Sequence, residues 1–79
     1  MYTGCGYAYG SQAARNSQCP SGTGTIQFIG DGIPNGDPCL LPRGSTLYTG
    51  CGYAYASEAA RNSQCSSSSG TLKFIGDGL

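Results

Sequence analysis

The sequence predicts a small, disulfide-rich, mainly β fold with short helical turns. Two β-turn/helix-β repeats are expected to share one core in a pseudo-twofold arrangement. Three observations predict this. Residues 2–32 recur without a gap as residues 48–78, with 24 of the 31 paired positions identical. Five cysteines and 14 glycines stand in a chain of only 79 residues. Large aliphatic side chains are scarce, so a core has to draw on Phe28, Phe74, the tyrosines and cystines. At this length a hydrophobic core alone is marginal, and cross-links usually supplement it. The expected organisation is one domain over 1–79, with repeats 2–32 and 48–78 and a connector over 33–47.

The opening of each copy, YTGCGYAY, alternates. Read as one strand, it places Cys5, Tyr7 and Tyr9 on one face and Gly4, Gly6 and Ala8 on the other. The same reading sets Cys51, Tyr53 and Tyr55 against Gly50, Gly52 and Ala54. Next comes SQAARNSQC or SEAARNSQC. Ser11 and Ser57 are suited to cap a helix of one or two turns, and Glu58 suits the positive end of its dipole. A polar loop follows, and then a second strand, TIQFIGDG or TLKFIGDG. Gln27 answers to Lys73, which predicts an exposed position. Ile26 answers to Leu72, which predicts an apolar, buried one. Asp31-Gly32 and Asp77-Gly78 read as tight turns. Pro34, Pro38 and Pro42 keep the connector out of helices and central strands, while Leu40 and Leu41 are expected to tie it to the core. Arg43 is expected in an accessible loop. Met1 aligns with Leu47, which fits an added start residue on a mature secreted chain.

Five cysteines, no histidine and no CxxC favour disulfides over zinc and an oxidising, secreted or extracellular setting. The simplest connectivity is Cys5–Cys19 with Cys51–Cys65, each loop worth roughly 3 kcal/mol in the chain-entropy model. The exchanged pairing, Cys5–Cys65 with Cys19–Cys51, stays open at this level. Cys39 has no counterpart. It is expected as a free thiol, as a bridge to a second chain in a homodimer, or as part of another pairing.

Charge is sparse and balanced, with four basic and four acidic residues. That speaks against a nucleic-acid partner. No apolar stretch reaches the roughly 18–20 residues that span a bilayer. No metal or cofactor is expected. The segment from Asp31 to Asp37 has oxygen donors but lacks the ligand pattern of a calcium loop. Serines are unaccompanied by a base, and Glu58 is Gln12 in the other copy, so the chain does not read as an enzyme.

Tyrosine is the remaining signal: six, with no tryptophan. Tyr7, Tyr9, Arg15 and Asn16 recur as Tyr53, Tyr55, Arg61 and Asn62. Aromatic faces beside Arg and Asn suit stacking on a sugar ring while bonding its hydroxyls, and two copies would add avidity on a glycan or surface polymer. The competing account places the tyrosines in the core. Three functional classes follow. The first is a lectin-like binding module with two equivalent sites. The second is a structural, surface or ice-binding repeat protein. The third is a small toxin, effector or protease inhibitor that uses Arg43.

Overall fold

The computed structural model describes residues 1–30 and 41–76. It is mainly β, with two short helices and two disulfides. The strands are β1 (Tyr2–Gly4), β2 (Tyr7–Tyr9), β3 (Gly24–Thr25), β4 (Gln27–Ile29), β5 (Thr46–Gly50), β6 (Tyr53–Tyr55) and β7 (Gly70–Gly76). The helices are α1 (Gln12–Gln18) and α2 (Glu58–Gln64). Neither is long and apolar enough to cross a membrane.

YTGCGYAY is a hairpin rather than one strand. Cys5 and Gly6 hold φ of 54° and 81°, and Cys51 and Gly52 hold 52° and 84°. Two successive positive φ values make the two-residue turn whose twist matches antiparallel strands. The alternation was misleading because Cys is an unusual first residue for such a turn. The turn also moves Gly4 to the other face. Gly4 pairs with Tyr7, Thr3 with Ala8 and Tyr2 with Tyr9, so Gly4 shares a face with the tyrosines and Ala8 lies opposite.

The helices follow their caps. The Ser11 hydroxyl accepts from the Ala14 amide at 3.1 Å, and Ser57 does the same for Ala60 at 3.1 Å. Each helix ends at a cysteine, Cys19 or Cys65, whose side chain returns to the hairpin turn at Cys5 or Cys51. This settles the connectivity in favour of the within-copy pairs. Cα atoms are 6.0 Å apart in each, inside the ordinary disulfide range. Two cystines in a domain this small fit an extracellular protein.

The strand order is β3-β1-β2-β7-β5-β6-β4. Laid flat, six strand spacings of roughly 4.8 Å would part β3 from β4 by about 29 Å. Only Ile26 joins them, so the sheet must curl and close on itself. Ile26 also extends the β1–β3 ladder by one pair: its amide donates to the Met1 carbonyl at 2.9 Å, and the Met1 ammonium donates to the Ile26 carbonyl at 3.0 Å. β7 does in one piece what β3 and β4 do in two. Its first half pairs antiparallel with β5 (Tyr48 with Thr71, Thr49 with Gly70), and its second half runs parallel to β2 (Tyr7 with Lys73, Ala8 with Phe74). Likewise β3 pairs antiparallel with β1, and β4 runs parallel to β6 (Gln27 with Tyr53, Phe28 with Ala54). The last strand of each copy therefore crosses to the hairpin of the other.

The pleat turns Ala8, Phe28, Leu47, Ala54 and Phe74 to the inside, where they form one buried cluster. Ala8, Leu47 and Ala54 are completely buried, and the two phenylalanines fill the space the alanines leave. Ile26 and Leu72 are half-buried at its margin, as is Met1, which occupies the place in its copy that Leu47 holds in the other. Leu41 packs on the same cluster. Cys39, Leu40, the Asp31–Asp37 segment and Asp77 lie outside the described residues.

Candidate functional site: two tyrosine-walled grooves

The residues expected to form a ligand site are divided between interior and surface. Arg15 and Arg61 are only 3% and 4% exposed. Arg15 Nη1 donates to the Thr3 carbonyl at 3.0 Å and the Gly24 carbonyl at 2.8 Å, and Nε donates to Asn16 Oδ1 at 2.9 Å. Its guanidinium lies 5.8 Å from the Tyr2 ring centroid. Arg61 repeats this with Thr49, Gly70, Asn62 and Tyr48. Glu58 adds a carboxylate oxygen 3.7 Å from Arg61 Nη2, but it is largely exposed and contributes little. Each arginine thus straps its helix to two strands, with its donors directed inward.

Glycine makes room for the strap. A Cβ on Gly4 would stand 3.2 Å from Cys19 Sγ and 3.3 Å from Arg15 Cδ. The Gly4 and Gly50 positions lie beneath the cystine or the arginine stem, and Ala8 and Ala54 are interior.

Tyr9 and Tyr55 are buried at 2% exposure, whereas Tyr7 and Tyr53 are the exposed large rings at 41% each. The outer ring of each pair leans on the inner one. Centroids are 6.5 Å apart for Tyr7–Tyr9 and 6.4 Å for Tyr53–Tyr55, with the planes tilted by 63° and 60°. Such edge contacts hold the exposed ring in place. Asn16 and Asn62 are exposed, each with Oδ1 taken by the neighbouring arginine.

Each outer tyrosine walls an open groove. The larger, about 810 Å³, runs from the Cys51-Gly52 turn and Tyr53 across Thr25, Ile26, Gln27 and Phe28 to Met1 and Tyr2. The smaller, about 400 Å³, runs from the Cys5-Gly6 turn and Tyr7 across Thr71, Leu72 and Lys73 to Thr46. In each, the hairpin turn of one copy faces the last strand of the other. Tyr53 stands in register with Gln27, and Tyr7 with Lys73. The grooves therefore share an aromatic face and a threonine; across from that face one offers Gln27 and the other Lys73, and the Met1 ammonium, bonded to the Ile26 carbonyl, borders the first. No described carboxylate lines them.

The sequence reading missed Gln27, Lys73, Thr25 and Thr71 as groove residues. Their exposure was legible from the Gln27/Lys73 exchange, but their place opposite a tyrosine depends on parallel pairing between copies. That pairing has no local signature. The chain matches no protein-family model, no curated protein and no solved structure at a significant level.

Proposed function

We propose that the chain is a secreted, cystine-stabilised binding module, not an enzyme, with two sites at corresponding places in the two copies for a hydroxyl-rich polymer, a carbohydrate above all. One observation carries the reading: two large exposed tyrosines each wall a groove that also offers threonine hydroxyls and an amide or ammonium group. An exposed aromatic ring is suited to stack on a sugar face, and the neighbouring polar groups to bond its hydroxyls. We further propose that the two copies are related by a pseudo-twofold axis. In support, each ladder has a counterpart when the copies are exchanged at the offset of 46, except that Tyr9 pairs with Gly76 across a bulge where Tyr55 pairs with Ile29. A glycan array followed by NMR titration tests the binding reading. Shifts centred on Tyr7 and Tyr53, lost in Tyr7→Ala and Tyr53→Ala, are expected. Absence of binding at millimolar sugar refutes it.

A second reading rests on Arg43, which is exposed beside a pinned turn. The Gly44 amide donates to the Phe74 carbonyl at 2.7 Å, and the Ser45 hydroxyl donates to the Pro42 carbonyl at 2.7 Å. A basic side chain on a held turn is the form a protease bait takes. Inhibition of a trypsin-like protease that disappears in Arg43→Ala would favour it over the glycan reading.

A further inference from the structure

We infer that a second copy of this chain is a partner, joined by exchange of the last strands. Three observations lead there. First, the pairing that unites the copies is reciprocal: β4 lies parallel to β6 and β7 parallel to β2, with Phe28 set against Ala54 and Phe74 against Ala8. Second, the exchanged surfaces are nearly the same. Over residues 24–29 and 70–75 the copies differ only at Ile26/Leu72 and Gln27/Lys73, the first half-buried and the second exposed. A hairpin therefore accepts the last strand of its own chain or of another with the same contacts. Third, both cystines lie within a copy, so neither dictates which chain supplies the partner copy. Among the described residues, no covalent bond apart from the backbone ties one copy to the other.

Tethering the two copies in one chain gives an effective concentration on the order of millimolar. Intrachain closure therefore prevails in dilute solution, and interchain closure competes when chains fold at comparable concentration. The exchanged dimer contains two complete seven-stranded sheets and repeats every ladder of the monomer. This inference rests on strand pairing and is independent of the glycan reading.

The test is refolding from denaturant without reductant, using equal amounts of isotope-labelled and unlabelled full-length chain. Folding is run at about 10 µM and at about 1 mM, below and near the expected effective concentration. The native chain is compared with Cys39→Ser, and non-reducing electrophoresis sets aside covalent dimers. Native mass spectrometry is expected to show almost only monomer from the dilute sample and a several-fold larger, non-covalent, isotopically mixed dimer from the concentrated one. Isotope-filtered NOEs in that dimer are expected between residues 27–29 of one chain and 53–55 of the other. Monomer alone at the higher concentration overturns the inference. So does a dimer that lacks those interchain NOEs.

Discussion

Replacing Arg15 by methionine tests whether the arginine strap stabilises this fold. The substitution keeps most of the side-chain volume and removes every donor. It leaves the Thr3 and Gly24 carbonyls, bonded at 3.0 and 2.8 Å, without their partner. An unpaired buried acceptor costs about 1–3 kcal/mol. Loss of the contact with the Tyr2 ring adds about 0.5–1 kcal/mol. Against this, methionine avoids the expense of burying a cation, which for ion pairs often cancels the gain. Arg15 bonds carbonyls and an amide oxygen in an orienting fork, so we expect a net destabilisation of about 2–4 kcal/mol. For a chain this size total stability is about 4–12 kcal/mol. The melting temperature should then fall by about 10–30 °C. Thermal and urea unfolding followed by circular dichroism, with disulfides oxidised, measures it. Arg61→Met is the internal control and should match within about 0.5 kcal/mol, since the exposed Glu58 contributes little. A methionine variant that melts with the wild type would refute the reasoning, because burying the cation would then cost as much as its bonds return. Arg15→Lys should recover less than half of the loss, because one ammonium cannot reproduce the fork.

Removing the Cys5–Cys19 bridge as Cys5→Ala/Cys19→Ala should cost roughly 3 kcal/mol, since it frees a loop of about 15 residues; urea titration reads the loss, and a shift under 1 kcal/mol would mean that the strap alone holds α1. Ser11→Ala should cost about 1 kcal/mol through the lost cap bond, and Ser57→Ala the same, both read by thermal unfolding. Tyr7→Ala and Tyr9→Ala should separate surface from core: the buried ring costs about 3–5 kcal/mol on truncation, while the exposed one changes stability far less. Lys73→Gln should remove any preference of the smaller groove for anionic over neutral saccharides, and a preference that survives at low salt would place its source elsewhere.

Much of the local structure was legible from residues. Ser11 and Ser57 announced their helices, the doubled cysteines indicated their own bridges, and Gln27 opposite Lys73 marked an exposed site. The hairpin at Cys5-Gly6 was not legible, because a single alternating octapeptide reads equally well as one strand when the turn begins with cysteine. Nor was the role of Arg15. An arginine in a short polar helix usually faces water, and only the proximity of Gly4, Thr3 and Gly24 turns it inward. The grooves were hidden for a further reason. They are assembled from residues 27 and 53, or 7 and 73, whose meeting depends on where strands cross between copies.

Closure of the sheet bears on how so neutral a chain stays dispersed. With four positive and four negative side chains, it lacks the net charge that keeps small proteins apart. Its protection is topological. The strand order turns back on itself at Ile26, which leaves no long free edge among the described residues for a neighbour to extend. That protection lasts only while the ring is shut. When β4 leaves β6 or β7 leaves β2, an unpaired strand and the phenylalanine beside it face solvent with little charge to repel another chain. Colloidal stability should therefore follow the opening of these two parallel seams rather than pH or salt.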